Sequence, residues 1–113
     1  MVTAVSQSQQ ETNQDIVPHP FQAVGANIPV VFSPADGQRL IGVNYAETAG
    51  AAASFDLVDI QTGALFMAVS MPANDGDTQW VWPGIPTVNG VRLVYIAGTF
   101  DVVVYSAQAI PVQ

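Results

Sequence analysis

Along the chain, short runs rich in Val, Ile, Thr and aromatic residues alternate with turn-forming clusters. The clusters are Ser33-Pro34-Ala35-Asp36-Gly37, Ala49-Gly50, Gln61-Thr62-Gly63, Ala73-Asn74-Asp75-Gly76-Asp77, Pro83-Gly84, Asn89-Gly90 and Gly98-Thr99. Asp-Gly and Asn-Gly supply the positive φ angles that tight turns require. The runs between them predict strands over 28–32, 39–48, 53–60, 64–71, 78–82, 91–97 and 100–107. Short strands punctuated so regularly predict an all-β domain, an antiparallel β-sandwich or jelly-roll-like fold of about seven to eight strands. Residue usage agrees, with 17 Val, seven Ile and seven Thr against four Leu, a balance that favours strand over helix. The one helix-like stretch, Tyr45 to Ala53, is Ala-rich but interrupted by Gly50, and reads as a strand end followed by a small-residue loop.

The N-terminal part has a different character. Ser6 to Asp15 is polar and has no period of either kind. Ordering a backbone costs about 1–2 kcal/mol per residue, and this run has no apolar surface to offset it. Ile16, Val17, Pro18, His19, Pro20 and Phe21 then bring apolar side chains back, with two prolines that forbid helix and favour an extended path. This predicts an extended N-terminal arm over 1–27, with Ile16, Val17 and Phe21 as anchor residues for a partner, ahead of a sandwich domain over 28–113. A frayed terminus leading into a short first strand fits the same residues.

The predicted strands differ from those of a sandwich solvated on its outside. Ile41, Val43 and Tyr45 alternate with Leu40, Gly42 and Asn44; Leu65, Met67, Val69 and Met71 alternate with Phe66, Ala68 and Ser70. Val91, Leu93 and Tyr95 alternate with Arg92, Val94 and Ile96, and Phe100, Val102 and Val104 with Asp101, Val103 and Tyr105. An outer face in water normally carries polar residues, whereas the second set here is small, neutral or plainly apolar. One domain of 113 residues cannot cover both faces of most of its strands. The pattern predicts contact between copies, a homo-oligomer, rather than an outer face that is merely Ala-rich and neutral.

Charge sharpens this picture. Seven Asp and two Glu face only Arg39 and Arg92, with no lysine, for a net charge of −7. Charged residues make up 10% of the chain, against about 25% in an ordinary domain. Two arginines cannot supply the basic patch that phosphate neutralisation needs, and they equally disfavour an anionic membrane surface, so neither nucleic acid nor membrane is expected as a partner. Cysteine is absent, which leaves no disulfide framework and no thiolate site. Met1 to Gln10 lacks the basic start and apolar core of a signal peptide, and no apolar stretch approaches the roughly 18 residues of a membrane span. The expectation is a soluble product, cytoplasmic as made.

Candidate chemistry is sparse. His19 is the only histidine, and a metal site needs several converging ligands. Asn74-Asp75-Gly76-Asp77 resembles part of a calcium loop but lacks the alternating acids and the twelfth-position Glu. Asp56 and Asp59, three apart on a strand, point to opposite faces, and a pairing of Asp56 with Asp101 would depend on register. No nucleophile elbow, Ser–His–Asp set or phosphate-cradling loop is present. The chain is therefore expected not to be an enzyme, with no catalytic, metal or cofactor residues. Trp80 and Trp82, at i and i+2, share one strand face roughly 7 Å apart. That pair reads as buried packing or an interface anchor, or as a sugar-stacking platform like those of carbohydrate-binding modules.

Two stretches carry a family resemblance. Ala51-Ala52-Ala53-Ser54-Phe55-Asp56-Leu57-Val58-Asp59 with Thr62-Gly63-Ala64-Leu65 is one, and Val88 to Tyr105 (VNGVRLVYIAGTFDVVVY) is the other. Both resemble small virion proteins of tailed bacteriophages that infect actinobacteria, where an Ala-rich strand with a Phe/Leu pair precedes a turn and a Gly-containing hairpin ends in a Val-rich strand and Tyr. The likeness spans roughly residues 40–107. It implies a structural role on the capsid surface of a virion, as a decoration (cement) protein that binds the shell of major capsid protein and assembles as a homo-oligomer, a trimer in first place. A head-fibre base or tail component of the same particle is the neighbouring alternative, and a carbohydrate-binding module using Trp80 and Trp82 the more distant one. The resemblance carries no catalytic residue across.

Overall fold

The computed structural model describes residues 16–108, apart from the side chains of Trp82 and Pro83. Eight strands run in order: β1 (Val17–Val24), β2 (Ile28–Phe32), β3 (Arg39–Glu47), β4 (Ala53–Asp59), β5 (Leu65–Met71), β6 (Gly76–Pro86), β7 (Val91–Ala97) and β8 (Phe100–Ala107). They form two four-stranded antiparallel sheets, β1-β8-β3-β6 and β2-β7-β4-β5. This strand order, with β1 and β2, β3 and β4, and β5 and β6 falling in opposite sheets, is that of a jelly roll, the double Greek key in which two sheets close over one core.

The core lies between the sheets and is built by alternation. From the first sheet come Val43 and Tyr45 of β3 and Phe100, Val102 and Val104 of β8; from the second come Phe55 and Leu57 of β4, Met67 and Val69 of β5, and Leu93 of β7. Phe55 is its centre. Its ring stacks on Phe100 of the opposite sheet at 4.6 Å between centroids and meets Tyr45 edge-on at 6.4 Å.

Turn chemistry explains why the strands start and stop where they do. At the β4–β5 connection the Gly63 amide donates to the Asp59 carbonyl and the Asp59 amide to the Ala64 carbonyl, while Gly63 adopts a φ of 76°. That is a turn closed by a glycine bulge, a geometry that residues with a Cβ adopt at a cost. In the β5–β6 turn Asn74, rather than the following Gly76, takes positive φ (60°), so β6 already begins at Gly76 and Asp77 is a strand residue.

Three expectations need correction. The boundary of the arm is wrong: within 1–27, Val17–Val24 is β1, paired antiparallel with β8 from Val17↔Ser106 to Val24↔Phe100. Its prolines are tolerated because β1 is an edge strand, with one side free of ladder bonds among the described residues; residues 1–15 lie outside the described part. Strict alternation also fails on β3 and β5. A register step between Leu40 and Gly42 puts Leu40 in the core, while Ile41, also fully buried, lies outside that cluster and faces Gly84. A second step, where Leu57 faces Met67 but Val58 faces Leu65, leaves Leu65 59% exposed.

Candidate interaction surface

The outer face of the first sheet holds one of the residues that the sequence marked as partner-binding, Trp80. Register aligns Pro18 of β1, Tyr105 of β8, Gly42 of β3 and Trp80 of β6 in one row across all four strands. The next row is Pro20, Val103, Asn44 and Thr78. Alternation puts both rows opposite the core-facing Val43, Val102 and Val104. Neither row contains a charged residue, and the nearest acid on β8 is Asp101, whose carboxylate accepts the Ala23 amide at 2.8 Å.

Gly42 is what makes the first row an aromatic ridge. With no side chain between them, Trp80 and Tyr105 lean together across β3, their centroids 5.1 Å apart and their planes tilted by 35°. A Cβ on Gly42 would fall within contact of the indole Cε3. Trp80 is 50% exposed, so its free side is open to a partner. In the second row the Asn44 amide donates to the Thr78 hydroxyl at 2.6 Å, a neutral polar group beside the ridge. Isolated exposed apolar residues are ordinary on protein surfaces, but contiguous ones mark contact sites.

The other marked residues divide. Ile16 is half-buried, Val17 is exposed at the start of β1, and Phe21 packs partly against the core. Phe21 is thereby a structural residue that holds β1 to the sandwich, and only Ile16 and Val17 remain available as anchors. The Trp80/Trp82 pair lies partly outside the described residues. Between Gly42↔Trp80 and Leu40↔Ile85 the ladder skips several residues of β6, and the side chain of Trp82 is not among those described. The sequence missed Tyr105 and Gly42, because their partnership with Trp80 exists only through the pairing of β6, β3 and β8.

The carboxylates serve the loops. Asp56 and Asp101 lie in different sheets, which removes the pairing raised on the sequence. Buried Glu47 accepts amides of Ala49, of Gly50 at 3.0 Å and of Asn74 at 2.6 Å, joining the β3–β4 and β5–β6 loops. These bonds, led by Asn74, hold its pKa below the ordinary 4.5 despite burial. At the other end, Asp59 accepts the Thr62 and Gln61 amides at 2.8 and 2.7 Å and the Asn89 side chain at 3.2 Å, which holds its pKa below 3.8. His19 stacks on Phe32 at 5.1 Å and meets the Ser106 hydroxyl at 2.8 Å. Burial lowers its pKa from 6.5, and the nearby Asp36 opposes that shift. Among the described residues no three His, Cys, Asp or Glu side chains converge as a metal would need. A shallow recess beside Ser54, Ser70, Met71, Pro72 and Ala97 is lined without a titratable group.

Comparison of the chain with protein-family models, curated proteins and solved structures returns no match.

Proposed function

We propose that this chain is a structural virion protein, a capsid decoration (cement) protein of a tailed phage that assembles as a homo-oligomer, a trimer in first place, and binds the major capsid protein shell. The observation that carries the reading is the uncharged ridge of Pro18, Tyr105 and Trp80 across the first sheet, on a chain whose net charge is −7. A surface that excludes the chain's many acids is suited to lie against another protein, and aromatic side chains with one open side are frequent anchors of such contacts. Jelly rolls recur among viral capsid domains, and also among lectins and cupins, so the fold supports the reading by analogy only. A shell presents many identical sites, so contacts that are weak singly add up.

The decisive measurement is binding to purified phage capsids together with the copy number on the particle. The wild-type chain should co-sediment with capsids, and Trp80→Ala with Tyr105→Ala should release it while the far-UV spectrum stays that of the β-sandwich. A strict monomer without particle association overturns the proposal. One observation favours a second reading: the half-exposed Trp80 beside the Asn44–Thr78 pair combines a stacking surface with neutral polar groups, as sugar sites do. Retention on a polysaccharide matrix that Trp80→Ala abolishes, without capsid binding, would select that carbohydrate-binding role.

A further inference from the structure

Four strands close the two sheets, and three of them carry devices that block further pairing. β1 holds Pro18 and Pro20 and shifts register after Phe21. β2 has five residues, contains Pro29 and shifts register between Ile28 and Phe32. β6 holds Asp77, Pro83 and Pro86 and skips residues against β3. Proline, charge, shortness and bulges are the features that keep sheet edges from recruiting another strand. β5 has neither proline nor charge in its sequence, LFMAVSM. Its one irregularity lies at its start; from Met67↔Leu57 to Met71↔Ala53 it pairs with β4 without a break. Beyond it, among the described residues, no strand is hydrogen-bonded, and alternate backbone amides and carbonyls of a ladder necessarily point that way.

We propose that the β5 edge is a self-association site, where β5 of a second copy pairs antiparallel with it and joins two sheets into one of eight strands. A second copy fits for a reason of charge. The chain carries −7 overall, so contact between copies is opposed wherever acids face acids, and like charges directly opposite across strands are destabilising. An antiparallel pairing of β5 with itself sets only uncharged side chains against one another. Buried Met67, Val69 and Met71 lie on its inner side, so the pairing extends the sandwich core across the junction, and the exposed Leu65 gains cover. The contact is isologous and relates copies in pairs, so trimers that used it would join into a hexamer. It is separate from the ridge on the first sheet and goes beyond the capsid reading.

The test is Ala68→Lys in the full chain. Ala68 is exposed and faces Asp56 on β4, so a lysine there gains an opposite charge within its own sheet and should leave the fold intact. In a paired edge it sets two ammonium groups close together. Light scattering across a concentration series should give an even number of copies for the wild type and half that mass for the variant. Hydrogen exchange should show the peptide over 65–71 protected in the wild type and faster in Ala68→Lys, with β3 and β8 unchanged. A wild-type monomer, or a mass and an exchange pattern that the variant leaves unaltered, overturns the proposal. A trimer insensitive to Ala68→Lys refutes the β5 contact while leaving the capsid reading standing, because that reading is tested through Trp80 and Tyr105.

Discussion

Gly42 and Trp80 show how one absent side chain organises a surface. A methyl group on Gly42 meets the indole ring, so Gly42→Ala should cost about 1–3 kcal/mol, the usual range for overpacking. The same substitution in a Trp80→Ala background should cost much less. A double-mutant cycle by chemical denaturation reads this coupling, and additive effects would show that the two residues do not touch. Glu47, Asp59 and His19 define a pH profile. The two carboxylates have folded-state pKa values below their ordinary 4.5 and 3.8, so their stabilisation is present above those values and is lost as pH falls through them toward the folded-state pKa. His19 is depressed below 6.5 by burial, so the unfolded chain takes up its proton first and stability already declines as pH drops below 6.5. Thermal melts from pH 7 to pH 3 should therefore fall in two stages. His19→Gln should flatten the upper stage and Glu47→Gln should shrink the lower.

At the scale of elements, β1 and β6 are where pattern reading and structure part company. The residues 16–21 have the apolar content of anchors, and from sequence alone an arm and an edge strand are the same string of side chains. What decides between them is that Phe21 reaches the core, and that His19 stacks on Phe32 of the opposite sheet and meets Ser106 of the adjacent β8. Removing residues 1–20 should strip half of β1 from β8 and lower the melting temperature sharply; a melt equal to that of the full chain would mean that β1 adds nothing to the sheet. The bulged end of β6 has a similar lesson. The strand over 78–82 was legible, but the step in its ladder beyond Trp80 depends on β3, far away in sequence.

For the whole molecule, the stacked Phe55 and Phe100 hold the two sheets together. Phe55→Ala should cost about 3–5 kcal/mol, a large part of the roughly 5–15 kcal/mol that a domain of this size possesses, and equilibrium unfolding in urea measures it. The class of fold, seven of the eight strands and most core residues were legible in the chain, because the period of two and the Gly, Asn and Asp of the turns act through near neighbours. So was the shortage of charge on the strands, which needs only counting. Which strands adjoin was not legible: the order β1-β8-β3-β6 over β2-β7-β4-β5 follows from closing a common core, a condition on all strands at once. The ridge of Pro18, Tyr105, Gly42 and Trp80 and the open edge at β5 are consequences of that order. Sequence alone determined that this chain would make sheets with little charge on them; tertiary structure decided which neutral residues meet on one face and which edge stays unpaired, since both depend on contacts between residues tens of positions apart.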